Sequence, residues 1–258
     1  MKHLFRPFVY LDKKNFLILF LAEIVIALIL WTQFKSELFP TPWMVLKSLL
    51  ALLSTKAFYD DLIVSTTLTF TGMGIASIIS LAVGYTYLIP VLKPITNSIV
   101  FFRFIPLTGL LFFFTVLSNN GHQLKLILLI FGIVPFFVTS LKEQMDAIST
   151  QEFELCKTLR MNNWQAWVEI VVIGRRDYVL LAMKQNLAIS WLMITMVEGL
   201  NRSEGGFGVY LNDSNKFRPL ADVLALLLVL FILGISFDGG LGKVRELIFP
   251  YVKLKTLK

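Results

Sequence analysis

Reactive side chains are scarce in this chain. It has one cysteine, Cys156, and two histidines, His3 and His122, among 258 residues. A lone cysteine excludes an internal disulfide and any cysteine-cluster metal site. Neither histidine belongs to a His-Glu-x-x-His pattern, and no nucleophile elbow occurs. Gly242-Lys243 is followed by Val244 and lacks the required earlier Gly, so there is no P-loop for ATP. Charge is also sparse. Only 16% of residues are charged, against about 25% in a soluble domain.

Apolar surface is abundant instead: 56% of residues are hydrophobic and 23 are Phe. Uncharged apolar runs recur along the chain, which points to an all-α polytopic membrane protein. Lys and Arg number 24 against 17 acids. Their grouping at the ends of apolar runs reads as orientation in a bilayer, not as a nucleic-acid surface.

Six spans are expected. Residues 16–34 follow a basic N-terminus and form an uncleaved first span, too long for a signal-peptide core. Glu23, near its mid-depth, reads as a carboxyl facing a neighbouring helix. Phe39-Pro40-Thr41-Pro42 ends that element, and residues 43–53 form an amphipathic helix at the outer surface. Residues 62–92 carry no charge and hold a second span plus part of a connection; Pro90 and Pro94 mark an inside turn. Residues 95–118 form the third span, broken by Arg103-Phe104-Ile105-Pro106. A proline within a span frees a carbonyl, and an arginine beside it needs water, a partner or an anion. Residues 124–141 are the fourth span, with Lys125 near its outer end. Residues 178–197 are the fifth, with Glu198 at its outer end and Asn186 and Ser190 on one face. Residues 201–219 read as an outside loop, 220–237 as the last span and 238–258 as a basic tail. This count puts both termini inside, where most of the Lys and Arg fall.

Residues 150–176 are the longest charged, amphipathic stretch. Thr150 followed by Glu152 and Glu154 reads as a helix start, with acids where the helix dipole favours them. Phe153, Cys156, Leu159, Trp164 and Trp167 recur near helical spacing. Two short helices are expected, joined at Met161-Asn162-Asn163, on the inner membrane face.

This stretch resembles the cytoplasmic coupling loop of ABC importer permeases. Glu154-Leu155-Cys156 stands where that family has Glu-Ala-Ala, Lys157-Thr158-Leu159 matches its basic-Thr-Leu, and Trp164-Gln165 its Trp-Gln. Arg160 replaces the usual Gly and Ile173 the usual Pro. The likeness runs over residues 39–249 in an ordered set: Pro40-Thr41-Pro42, Ser65, Gly72 and Gly84, Arg103 to Pro106, the Glu154 loop, and Gly206-Phe207-Gly208. The Arg-x-Ile-Pro and Gly-Phe-Gly elements resemble the nitrate/sulfonate/taurine branch.

The resemblance implies a type I importer-like permease domain at 39–249, after a tail and first helix at 1–38 and before a basic tail at 250–258. It implies a non-enzymatic subunit of the inner membrane, with ATP and Mg bound on separate cytoplasmic ATPase subunits. A second permease copy, identical or different, an extracytoplasmic solute-binding protein and the lipid bilayer complete the partners; nucleic acid is not among them. Glu154, Leu155, Cys156, Lys157, Thr158 and Arg160 are the candidates for ATPase coupling. Arg103, Pro106, Asn186 and Ser190 are the candidates for the substrate path, with an anionic solute favoured by Arg103. Because arginine resists the left-handed conformation that glycine adopts, the turn at Arg160 is expected to differ from the family's. The Gly205-Gly206-Phe207-Gly208 turn is expected to contact a partner protein. A secondary transporter or a membrane scaffold is the alternative reading.

Overall fold

A computed structural model describes residues 13–33 and 39–251. Eleven α-helices and short tighter or wider turns make up nearly all of the described residues, and no strand occurs among them. The all-helical expectation is met. Lipid cannot hydrogen-bond the backbone, so a chain this apolar must satisfy its amides within helices.

Helix α1 (Lys13–Gln33) is exposed along its length and touches the rest only at its end. There the Trp31 indole donates to the Pro40 carbonyl at 3.0 Å and its ring meets Phe39. Glu23 is exposed, with no helix among the described residues packed against it, contrary to expectation. Helix α2 (Pro42–Leu53) starts at the Thr41 cap, with Pro42 in the first turn where its missing N–H costs nothing. It lies along the last helix and buries Val45 and Leu52.

Helix α3 (Lys56–Tyr85) is 30 residues long, about 45 Å at 1.5 Å per residue. It packs along α6 (Gly121–Asp146). Small residues let the two helices approach closely: a Cβ on Gly72 would lie 2.6 Å from Leu129, and one on Gly84 would lie 2.8 Å from Leu141. Helix α9 (Arg176–Leu200) and helix α11 (Leu220–Ile248) complete the bundle. Its core joins Leu68 and Met73 to Leu129, Ile133 and Phe137, and these to Trp191, Ile194 and Leu226. Many large apolar side chains point outward, among them Ile78 at 71%, Phe112 at 81% and Leu192 at 73% exposure. That pattern suits hydrocarbon as the solvent.

The third expected span is broken where the sequence places the break. Helix α4 (Lys93–Phe101) and helix α5 (Leu107–Leu117) meet at 111° across the tight turn Phe102–Phe104. Pro106 does not kink a continuous helix; it caps α5, with Ile105 extended before it, as a residue preceding proline prefers. Five helices are long and apolar enough to cross a membrane, or six if the bent pair is one span.

Two further expectations are corrected. Residues 201–219 are not a plain loop but contain helix α10 (Phe207–Phe217). Residues 238–248 are not a tail but the continuation of α11, tied back by Lys184–Asp238 at 3.1 Å and Arg245–Asp177 at 3.6 Å. The basic stretches at 1–12 and 252–258 lie outside the described residues.

Candidate functional site

One end of the bundle carries two short helices, α7 (Thr150–Thr158) and α8 (Asn163–Trp167), joined where the sequence places the break. Each starts with a reciprocal cap. Ser149 accepts from the Glu152 amide while Glu152 accepts from the Ser149 amide. Asn162 and Gln165 exchange the same pair of bonds, at 2.8 and 2.9 Å. Such caps satisfy amides that a short helix cannot satisfy itself.

Helix α7 ends at Arg160, whose φ is 53°. The Arg160 amide donates to the Lys157 carbonyl at 2.9 Å, and the Met161 amide to Cys156 at 3.0 Å. These are the two bonds of a Schellman ending, the geometry glycine normally supplies. The turn at Arg160 thus does not differ from a glycine turn as expected. The two backbone bonds hold arginine in the left-handed region.

The pair is mounted firmly on the bundle. Arg175, just before α9, donates to both Glu152 carboxylate oxygens at 2.8 and 3.0 Å. The Trp167 indole donates to the Tyr85 carbonyl at the end of α3, at 3.2 Å, with its ring edge-on to Tyr85. Tyr87, Met145 and Val171 are buried beneath. Beyond α8 the chain runs through one wide turn, Val168–Ile173, closed by the Gly174 amide on the Glu169 carbonyl at 2.8 Å. Ile173 therefore ends a wide helical turn that a proline at that position would interrupt.

Of the predicted coupling residues, Glu154, Leu155, Lys157, Thr158 and Arg160 are exposed. Cys156 is buried at 5% exposure, so its thiol faces the bundle and not a partner. Leu155, Leu159 and Trp164 leave 61%, 60% and 66% of their surface uncovered. Beside them lies an open groove of about 480 Å³ bounded by Phe153, Trp164, Trp167, Leu88 and Pro90. An apolar centre ringed by charges has the composition of a protein contact.

The residues proposed for a path are not gathered together. Arg103 is exposed at the α4–α5 corner, donating to the Thr139 hydroxyl at 3.4 Å and lying 5.0 Å over Phe104. Pro106 is exposed nearby. Asn186 and Ser190 are fully buried in the core. The Asn186 amide donates to Ser140 at 3.2 Å and to the Ala182 carbonyl at 2.8 Å, while Asn186 Oδ1 and Ser190 Oγ have no partner. Arg103 and Asn186 thus contact adjacent positions of α6 without touching each other.

Sequence reasoning missed a polar cluster at the opposite end of the bundle. Lys125, Glu198 and Ser65 are fully buried there. Their signal was present: an ionisable residue in an apolar run marks a site by default, yet Lys125 and Glu198 were read only as span ends. The Gly205–Gly208 turn, expected to contact a partner, is largely buried within the bundle. It folds inward and puts Phe207, at 1% exposure, between Phe58 and Trp191.

No family model matches the chain, and no curated protein matches it by sequence. Solved structures do. The MetNI methionine ABC transporter in an inward facing conformation, native crystal form, superposes with a TM-score of 0.61 at 16% identity, over 80% of this chain and 96% of that one. Its selenomethionine-soaked form gives 0.58 at 17% identity, over 83% and 99%. The chain has the fold of an ABC importer permease. At these identities the likeness is one of fold, and it extends over nearly the whole matched chain.

Proposed function

We propose that this chain is the membrane-spanning permease subunit of an ABC importer. The observation that carries the reading is the exposed α7–α8 pair, an apolar centre with a charged rim, rigidly mounted on a bundle with the permease fold. A chain without a P-loop needs ATP hydrolysed elsewhere, and this surface suits docking to a cytoplasmic ATPase that binds ATP and Mg. Glu154, Leu155, Lys157, Thr158 and Arg160 form the contact, and Cys156 anchors it from below. Two ATPases need two docking points, so the unit contains a second permease copy, with an extracytoplasmic binding protein delivering solute. The protein resides in the inner membrane with both termini cytoplasmic. The substrate is a small anion of the nitrate, sulfonate or taurine kind, supported by the exposed guanidinium of Arg103 at the helix corner.

The test is cross-linking from the exposed face. With Cys156→Ser as background, Leu155→Cys should capture an ATPase chain in native membranes, and Glu154→Lys should reduce that yield while leaving insertion intact. Recovery of the permease with no ATPase attached overturns the reading.

A further inference from the structure

Two ionisable side chains are completely buried at the outer end of the bundle, and neither serves the inner docking face. Lys125 of α6 donates to the carbonyls of Ser203 and Gly205, the latter at 3.0 Å. Glu198 of α9 accepts from the Ser65 hydroxyl at 2.8 and 2.9 Å and from the Gly208 amide at 2.8 Å. Ser65 in turn accepts from the Phe207 amide at 2.8 Å, and Asp61 accepts from the Gly206 amide at 2.7 Å. Three helices thus aim their polar groups at one segment of six residues, 203–208.

That segment is held in a conformation it would not choose alone. Glu204, Gly205 and Gly206 are consecutive left-handed residues, with φ of 73°, 71° and 112°. Glu204 is not a glycine, so it carries a steric cost. The fit is close: a Cβ on Gly206 would lie 2.4 Å from the Glu198 carboxylate, and one on Gly208 would lie 2.1 Å from the Thr195 carbonyl. Outside the turn, His122 meets Glu204 at 2.9 Å and Arg202 meets Asp213. Then α10 crosses the bundle end and buries Phe207 and Ser214.

Helix α2, by contrast, lies along α11 and buries the apolar Val45 and Leu52. The bonds here are polar and concentrated in one turn, so they break together when the segment lifts. Lifting admits water to Lys125 and Glu198, which solvates the charges it uncovers. Closing satisfies them with protein partners and stores the backbone strain. Both arrangements are therefore self-consistent, as a bistable element requires. We propose that residues 201–217 form a strap that swings off and onto the outer end of the bundle, latched shut by Lys125 and Glu198. This holds whether or not the chain is a permease; in a permease it closes the outer mouth.

The reporter is a thiol on the buried face of the strap. Ser214 is fully buried and its hydroxyl has no partner, so Ser214→Cys in a Cys156→Ser background changes little. Its alkylation by N-ethylmaleimide in native membranes reads the opening. Slow but measurable labelling is expected in the parent. Lys125→Met should raise the rate at least about tenfold, because one partner of a buried charged cluster is lost, and Lys125→Arg should restore it towards the parent. Asp61→Ala, which removes the acceptor of the Gly206 amide, should raise it several-fold while leaving the core untouched. The buried native Cys156, as sole thiol, should stay protected in each variant. If Lys125→Met also exposes Cys156, the bundle has unfolded and Asp61→Ala decides alone. A labelling rate at position 214 unchanged by Asp61→Ala overturns the strap. So does a parent rate equal to that of a freely exposed thiol. Because no nucleotide or partner enters, failure of the permease reading leaves these outcomes unaffected.

Discussion

Arg160→Gly should tighten the turn between α7 and α8. Arginine at φ 53° holds its Cβ against the following carbonyl, a cost of about 1–2 kcal/mol for an L-residue. Glycine removes that cost but frees the unfolded chain, which returns about 0.4–1 kcal/mol. The net gain is about 0.5–1 kcal/mol, or a two- to fivefold slowing of local opening. The amides at positions 160 and 161 report it directly, since they donate to Lys157 and Cys156 at 2.9 and 3.0 Å. Hydrogen exchange in lipid nanodiscs, corrected for intrinsic rates, should slow at both. Arg160→Ala keeps a Cβ and should not slow them. Equal exchange in the glycine and alanine variants would show that residue 160 is not left-handed, and the strain estimate falls with it.

Gly208→Ala should lower thermal stability in detergent by more than Gly72→Ala, because its new methyl meets the backbone carbonyl of Thr195, not a leucine side chain; overpacking of this kind costs about 1–3 kcal/mol. Gly74→Ala, with nothing within 4 Å, should leave the melting temperature unchanged or raise it, and a large loss there would contradict the packing of α3. Arg175→Met should loosen α7 and speed proteolysis at residues 158–163, by about 0.5–1 kcal/mol at most, since Glu152 is 40% exposed and solvent screens the pair. Trp167→Phe should keep the ring contact with Tyr85 but lose the 3.2 Å bond to its carbonyl, worth about 1 kcal/mol, seen as faster exchange across α8.

The sequence made the inner site legible because its signals are local. Ser, Asn, Glu and Gln at cap positions, with Trp164 and Trp167 at helical spacing, set both short helices without help from the rest of the fold. Long apolar runs likewise announced α3, α6, α9 and α11. The outer cluster was hidden because its members come from far apart: Ser65 and Glu198 are 133 residues apart. Nothing near Glu198 says whether its carboxylate meets water or a serine. The break at the α4–α5 corner was legible in the sequence, but its sharpness was not. Composition alone cannot tell a proline that kinks a helix from one that starts the next. The extended backbone at Ile105 settles it, and that depends on the packing of α5 against α6.

The two ends of the bundle are joined by the same helices. Tyr85, which receives the Trp167 bond, and Ser65, which meets Glu198, are both on α3, 20 residues apart or about 30 Å along its axis. Glu198 closes the far end of α9, whose near end follows Arg175 and its bond to Glu152. A force on α7–α8 therefore enters α3 and α9 together. Apolar faces sliding past each other exchange one contact for another at little cost, whereas a hydrogen bond near 2.8 Å tolerates only a few tenths of an ångström of slip. A relative shift of α3 against α9 by more than a few tenths of an ångström would therefore break the Ser65–Glu198 contact before it disturbed the apolar packing between the two helices.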